Sequence, residues 1–163
     1  MEKFATADLC DDNQDKNIQV LAPNFKNYGG KKVFSGQVKT LKLNKSNWGL
    51  IDILKDTKTS GIGIVLVIDV DKADYGVVGD KLSLLAEKAG YEGMIINGYV
   101  RDTYETVNFN IGLIALGTCP LRNFEKTDSS KGIDLEFGSV NFTENSFVYC
   151  DNDGTIVCKE ALI

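Results

Sequence analysis

One segment limits the folds open to this chain more than any other: Ile62-Gly63-Ile64-Val65-Leu66-Val67-Ile68-Asp69-Val70. Its β-branched residues are stiff about χ1 and fit a pleated backbone, and the absence of apolar–polar alternation marks a strand covered on both faces. Asp80 to Ala89 reads as a helix, because Val78, Leu82, Leu85, Ala86 and Ala89 recur at helical spacing and Gly90 offers a C-terminal stop. Gly93 to Asn97 is a second short apolar run. Strand, helix and strand in so few residues predict a crossover unit with its two strands parallel.

The flanking segments extend a mixed α/β pattern around a central sheet. Thr6 reads as the N-cap of a first helix with Asp8 in its first turn. Asn27-Tyr28-Gly29-Gly30 is a turn feeding an alternating strand from Val33 to Lys42, and a helix follows over Trp48 to Leu54. Ile111 to Leu116 is a further strand. Asp134 to Phe142, Ser146 to Cys150 and Thr155 to Cys158 form a β-meander with an Asn-Asp-Gly turn at 152–154. The two prolines, at 23 and 120, mark no linker, so residues 1–163 are expected to form one domain.

Composition narrows the chemistry. The chain contains no histidine, which excludes Ser-His-Asp and Cys-His nucleophilic schemes, histidine-ligated zinc and imidazole acid–base catalysis. Carboxylates, Arg, Lys, Tyr, thiols, backbone amides, water or an oxygen-ligated metal must do any chemistry. The four cysteines, at 10, 119, 150 and 158, form no C-x-x-C pair and are expected to be free, mostly buried thiols. A net charge of −5 with no basic run gives no electrostatic footprint for nucleic acid. The first residues lack the basic and apolar regions of a signal peptide, and the longest apolar run is too short to span a bilayer, so a cytoplasmic protein is expected.

Ligands of open α/β sheets bind beyond the carboxyl ends of the parallel strands. One such end runs through Asp74-Tyr75-Gly76-Val77-Val78 to Gly79-Asp80, and the other through Gly98-Tyr99-Val100 to Arg101-Asp102. The amides of Gly79, Asp80, Lys81 and Leu82 lie at a helix N-terminus, which favours an anion. Arg101 presents a planar fork suited to a carboxylate. Asp102 is a hard oxygen donor suited to Mg²⁺ or Mn²⁺. Each has an ordinary alternative: Asp80 as a helix-start residue, and Arg101-Asp102 as a solvated ion pair. Their convergence on one sheet edge describes a pocket for an anionic, oxygen-rich small molecule beside a divalent ion.

The step from Asp80 across twenty residues to Arg101-Asp102 resembles the D-x20-R-D signature of the metal-dependent 4-hydroxy-4-methyl-2-oxoglutarate aldolases. These share a fold with the regulator of ribonuclease E activity A family. Thr6-x-x-Leu9-Cys10-Asp11, Asn27-Tyr28-Gly29-Gly30, Phe34-Ser35-Gly36, Gly79-Asp80-Lys81-Leu82, Gly90-Tyr91-Glu92-Gly93 and Tyr149-Cys150-Asp151-Asn152-Asp153-Gly154 extend the resemblance over nearly the whole chain. It implies a swivelling β/β/α domain, with central packed sheets flanked by helices, assembled as a homotrimer with sites between protomers. It also implies that Gly79 to Leu82 contact substrate, that Arg101 holds a 2-oxo acid's carboxylate, that Asp102 ligates the metal directly or through water, and that Asp80 helps position metal-bound water. One departure stands out. Many relatives carry Gly-Gly-Gly after the first strand, whereas this chain reads Asp69-Val70-Asp71-Lys72-Ala73-Asp74, in a loop expected to border the site.

The implied activity is aldol cleavage of a 4-hydroxy-2-oxo acid to a pyruvate enolate stabilised by the cation, with oxaloacetate decarboxylation as a side reaction. Metal-held water takes the place of the missing histidine base. No lysine lies in an apolar context that would lower its pKa for Schiff-base chemistry. A second reading is a binding module that restrains ribonuclease E; retention of Asp80, Arg101 and Asp102 favours catalysis over it. A third, a methyltransferase or dinucleotide enzyme, has little behind it, because Gly61-Ile62-Gly63 precedes a strand instead of following one. Glu105 is read as orienting Arg101, as lying behind the metal's direct ligands or as a solvated carboxylate, Trp48, Tyr99 and Tyr104 as packing residues, and Asp151 and Asp153 as turn residues and not calcium ligands.

Overall fold

The computed structural model describes residues 4–56 and 58–163. In chain order the elements are α1 (Thr6–Asp12), β1 (Gln19–Val20), β2 (Lys26–Asn27), β3 (Phe34–Leu43), α2 (Trp48–Lys55), β4 (Ile64–Asp69), β5 (Gly76–Val78), α3 (Asp80–Ala89), β6 (Gly93–Val100), α4 (Thr103–Thr106), β7 (Gly112–Thr118), β8 (Ser129–Lys131), β9 (Leu135–Phe137), β10 (Val140–Phe142), β11 (Phe147–Cys150) and β12 (Thr155–Cys158). A large sheet runs β1-β12-β11-β3-β4-β6-β7-β2, with β5 added to β6 and β8 to β3, while β9 and β10 pair separately. Strands β3, β4, β6 and β7 are mutually parallel, so the crossover expected from sequence is present, with Val65 opposite Gly93 and Asp69 opposite Asn97.

The unbroken apolar run in β4 has a direct cause: both of its faces are covered. Leu66 and Ile68 join Met94, Ile96, Leu113 and Ala115 beneath Leu50 and Leu54 of α2 and Leu82 and Ala86 of α3. Val65 and Val67 point the other way with Ile95 and Ile114, against Phe34, Val38 and the β9–β10 hairpin residues Leu135, Phe137, Val140 and Phe142. Each large apolar side chain withdrawn from water contributes roughly 1.5–3 kcal/mol, so this double burial is the main force holding the parallel strands together. Helix α1 packs through Leu9 on Tyr149 and Ile156. Since Tyr149 pairs with Ser35 while Cys150 and Phe34 pair and face the hairpin core, α1 lies on the same sheet face as α2 and α3. The layering is therefore helix, sheet and hairpin, an α/β architecture with these three helices on one face.

Three expectations need correction. Thr6 does not cap α1; it is the first helical residue, and its amide and hydroxyl both donate to the Asp151 carboxylate at 2.7 Å. The cap thus comes from a turn 145 residues away, where a sequence window cannot find it. Asp134 to Phe142 is not one strand of a meander but two short strands, reversed at Gly138 and Ser139, both with positive φ, and split from the main sheet. Finally, Gly76 to Val78, read as part of a loop, is a strand parallel to β6.

Asp151 also accepts the amides of Asp153 and Gly154, and so serves as turn residue and remote cap together. Burial works against its charge, but the hydrogen bonds from Thr6, Asp153 and Gly154 outweigh it and hold the carboxyl below the usual range. Its stabilising effect is therefore present above the unfolded value of about 4 and fades as pH falls through the lower folded value. Asp151→Asn is expected to cost about 1–2 kcal/mol near neutral pH, allowing for partial exposure. Denaturant titrations of the two proteins should diverge at neutral pH and converge in acid; a pH-independent gap would contradict the assignment.

Candidate functional site

The site forms where β6 changes partner. Along most of its length β6 pairs with β4, ending at Asn97 opposite Asp69; beyond a register shift, Tyr99 and Val100 pair with Gly76 and Val78 of β5 on one side and Gly117 and Thr118 of β7 on the other. Arg101 and Asp102 therefore leave the sheet between two parallel neighbours, at its carboxyl edge. Strand β5 passes straight into α3 through Gly79, and the Arg101 amide donates to Val78 O at 2.9 Å, tying the two chain exits together.

Gly79 is required here by contact, not by its backbone. Its φ of −130° is open to any residue, but a Cβ would lie 2.3 Å from Asp102 Oδ2 and 3.1 Å from Arg101 Cγ. Gly76 lies under the same arginine, with a Cβ position 2.9 Å from Arg101 Cβ. Arg101 is then held by its Nε, 3.3 Å from Asp102 Oδ2, and by its Nη1, which donates to Pro120 O at 3.4 Å. Asp102 sits in the left-handed region at φ 55°, heading α4, yet its side chain makes no capping bond; its carbonyl instead accepts the Glu105 and Thr106 amides. Within the described residues no hydrogen bond claims the Asp102 carboxylate, which stays about one-third exposed at the cleft.

A cleft of about 200 Å³ gathers Gly79, Asp80, Lys81, Leu82, Arg101 and Asp102, so all six residues singled out from sequence border one space. Asp80 Oδ1 accepts its neighbour Lys81's amide at 2.7 Å, taking one of the helix-start donors for itself. The remaining wall includes Asn47, Ile51, Lys55, Leu85 and Arg122. Four cations (Lys55, Lys81, Arg101 and Arg122) thus face two carboxylates in a chain whose net charge is −5. The local excess of positive charge favours an anionic ligand.

Sequence reasoning misses Asn47 and Arg122. Asn47 looks like an ordinary N-cap of α2, but its side chain makes no capping bond and its Nδ2 donates to Val77 O at 2.8 Å. Arg122 follows β7, whose parallel pairing brings its carboxyl end to the same edge as those of β5 and β6. The strand-end rule that finds Arg101 would find Arg122 once β7 is recognised as parallel.

The donor set also bears on the expected metal. No cluster of three His, Cys, Asp or Glu side chains occurs among the described residues, so a site built like structural zinc is absent from them. A carboxylate paired through Oδ2 with Arg101 alone, beside an open cleft, does fit Mg²⁺ or Mn²⁺, which bind through one or two carboxylates and keep several waters or substrate oxygens.

A family model described as "RraA-like: Aldolase/RraA" matches residues 6–157. The chain belongs to the RraA-like family. A relative from Bacillus cereus, named "Putative 4-hydroxy-4-methyl-2-oxoglutarate aldolase", is 36% identical over 160 residues, covering 98% of each chain. A protein from Arabidopsis thaliana, named "Putative 4-hydroxy-4-methyl-2-oxoglutarate aldolase 3", is 34% identical over 167 residues, covering 99% of each. Among solved structures, one from Geobacillus kaustophilus described as an S-adenosylmethionine: 2-dimethylmenaquinone methyltransferase is similar at TM-score 0.90 and 36% identity, covering 98% of this chain and 97% of that one. The RNA-processing inhibitor RraA from Thermus thermophilus is similar at TM-score 0.89 and 29% identity, covering 98% and 94%.

Several motifs of this RraA-like chain act on the site through the backbone. Tyr28 O accepts the Thr106 hydroxyl at 2.7 Å, and the Gly30 amide donates to Phe109 O at 3.0 Å, so the Asn27–Gly30 turn clamps α4 and the loop behind Asp102. The divergent loop after β4 turns through Asp71 and Lys72, at φ 55° and 54°, where glycine would be unstrained. Asp69, bonded to Lys42 Nζ at 2.6 Å and Asn97 Nδ2 at 2.8 Å, receives the Asp71 amide and supports that turn. Contrary to expectation, Val70, Asp71 and Ala73 line a neighbouring cleft; only Gly76, Val77 and Gly79 of this stretch reach the site.

Glu105 and Tyr104 are exposed, Tyr104 at 86%, so Tyr104 is not a packing residue. Trp48 docks the segment after β7, its Nε1 donating to Phe124 O at 3.4 Å. All four cysteines are free; Cys150 and Cys158 are buried, Cys10 and Cys119 half-buried, and burial pushes the Cys150 thiol up to about 11. Among the described residues no helix is long and apolar enough to cross a membrane.

Gly79→Ala should destabilise the protein by about 1–3 kcal/mol, the usual cost of forcing an atom into a filled contact. Chemical denaturation measures this directly, and a neutral result would show that Arg101 and Asp102 do not press on the turn.

Proposed function

We propose that this protein catalyses divalent-metal-dependent aldol cleavage of 4-hydroxy-4-methyl-2-oxoglutarate, or a related 4-hydroxy-2-oxo acid, releasing pyruvate, with oxaloacetate decarboxylation as a secondary activity. The observation that carries this reading is the shared cleft of Arg101, Asp102 and the α3 N-terminus, rich in cations within an acidic chain. The names of relatives at 34–36% identity over nearly the whole chain support the same reaction class.

In this scheme the Arg101 guanidinium binds the carboxylate of the 2-oxo acid through parallel hydrogen bonds, which fixes the plane of the adjacent carbonyl. Its contacts with Asp102 and Pro120 O pre-orient the fork before substrate arrives. The helix-start amides not taken by Asp80 face the developing negative charge on the carbonyl oxygen. Ile51, Leu82 and Leu85 form an apolar wall that limits water around the bond to be cleaved. Asp102 would hold Mg²⁺ or Mn²⁺, whose contribution is Lewis-acid stabilisation of the enolate charge. A homotrimer and a cytoplasmic location complete the proposal.

The Thermus thermophilus neighbour, named as an RNA-processing inhibitor, motivates a second role as a regulator that binds ribonuclease E. The Geobacillus kaustophilus neighbour is described as a methyltransferase, but here Gly61 and Gly63 lead into β4 and no glycine-rich turn follows it, so the cofactor cradle of that chemistry lacks support.

Pyruvate release from 4-hydroxy-4-methyl-2-oxoglutarate and from oxaloacetate should require Mg²⁺ or Mn²⁺ and stop with EDTA. Arg101→Ala and Asp102→Ala should each lower turnover by roughly 10²–10³-fold with the fold intact, the scale seen when one transition-state contact is removed. Borohydride added with substrate should trap no adduct. Ribonuclease E retained in a pull-down, with no pyruvate released, would replace the lyase reading with the regulatory one.

A further inference from the structure

Arg101 and Asp102 leave part of the cleft wall without a task, and two buried polar atoms there lack partners. Arg122 Nε is shielded from solvent and makes no hydrogen bond. Asn47, only 7% exposed, gives its Nδ2 to Val77 O and leaves Oδ1 unpaired. That bond also fixes which end of the amide is oxygen, since only nitrogen can donate to a carbonyl. Buried polar groups are normally satisfied, and here a charged donor and a neutral acceptor are orphaned on the wall of one cleft.

Arg122 is also held in place. Leu121 O accepts the Gly76 amide at 2.7 Å, and Asn123 Nδ2 donates to Lys45 O at 2.9 Å, which pins the chain on both sides. Its guanidinium carbon lies 4.7 Å from the centroid of the Phe124 ring. A planar fork stacked on an aromatic ring and short of a partner is suited to a carboxylate, more so than the flexible Lys55 and Lys81 nearby.

We propose that Arg122 binds a second carboxylate on the substrate, so that the cleft selects dicarboxylic over monocarboxylic 2-oxo acids. This rests on the reading above that Arg101 takes the carboxylate beside the 2-oxo group. It makes Arg122 a specificity-determining residue whose effect depends on the far end of the substrate.

The test is calorimetric titration, with Mg²⁺ present, of 2-oxoglutarate and of 2-oxopentanoate, which has the same carbon skeleton with a methyl in place of the distal carboxylate. The wild-type protein should bind 2-oxoglutarate roughly ten- to a hundredfold more tightly, the scale of one charge-assisted contact. Arg122→Gln, checked for unchanged melting, should erase that preference and leave 2-oxopentanoate binding as it was, whereas Arg101→Ala should weaken both ligands. Equal weakening of both by Arg122→Gln would assign Arg122 a structural role and overturn the proposal. So would a wild-type protein that binds neither ligand or shows no preference, or a preference that survives the substitution. A preference that depends on Arg122 without any pyruvate release would end the lyase reading and leave this one standing. Pyruvate release that needs Arg101 but shows no discrimination through Arg122 would do the reverse.

Discussion

The parallel pairing of β4, β6 and β7, buried on both faces, is the constraint from which the rest follows. Removing Leu66, Ile68, Met94 and Ile96 from water on one side and Val65, Val67 and Ile95 on the other fixes the register, because a slip by one residue would exchange the two sets between cores of different shape. With the register fixed, the carboxyl ends of β5, β6 and β7 share an edge. Asp80, Lys81, Arg101, Asp102 and Arg122 are carried on or near that edge, while Lys55 comes to the cleft from the last turn of α2. The chemistry is exposed there because the backbone beneath it has no freedom to move.

A second constraint is chemical. Without histidine, the chain has no side chain whose ordinary pKa lies near neutrality among its carboxylates, amines and guanidiniums. The cleft gathers two arginines, two lysines and two carboxylates. Such a set is suited to hold and polarise an anion more than to shuttle protons, which is why a carbon–carbon cleavage assisted by an oxygen-bound cation fits it better than hydrolysis by an activated nucleophile. The RraA-like fold provides the edge on which these charges are displayed, and the local contacts at Gly79 decide how close they come.

Much of this was legible in the sequence, and the exceptions share a cause. The β4 run, the α3 helix with its Gly90 stop and the crossover to β6 are encoded by local periodicity, and the structure has all three. The convergence of Gly79 to Leu82 with Arg101 and Asp102 follows from the strand-end rule once β4 and β6 are parallel. What was missed depends on partners far along the chain. Asp151 caps α1 from a turn 145 residues away, β5 is defined by its pairing with β6 beyond the last β4 pair, and Gly138-Ser139 breaks an apparent strand through positive φ. Arg122 and Asn47 belong to the same group: each looks like an unremarkable loop or cap residue until the tertiary pairing sets it against the cleft.

The bond between Thr6 and Asp151 has a consequence for how the protein is made. Strand β1 pairs with β12, and β3 pairs with β11 on the side away from β4, so early segments of the polypeptide wait for partners more than a hundred residues later. During synthesis the parallel crossover of β4, α3 and β6 is available before the β11–β12 hairpin, whose turn residue Asp151 fastens α1. Pairing of distant segments is slow, and the sheet edge of β3 that β11 covers is open to other chains until that pairing forms.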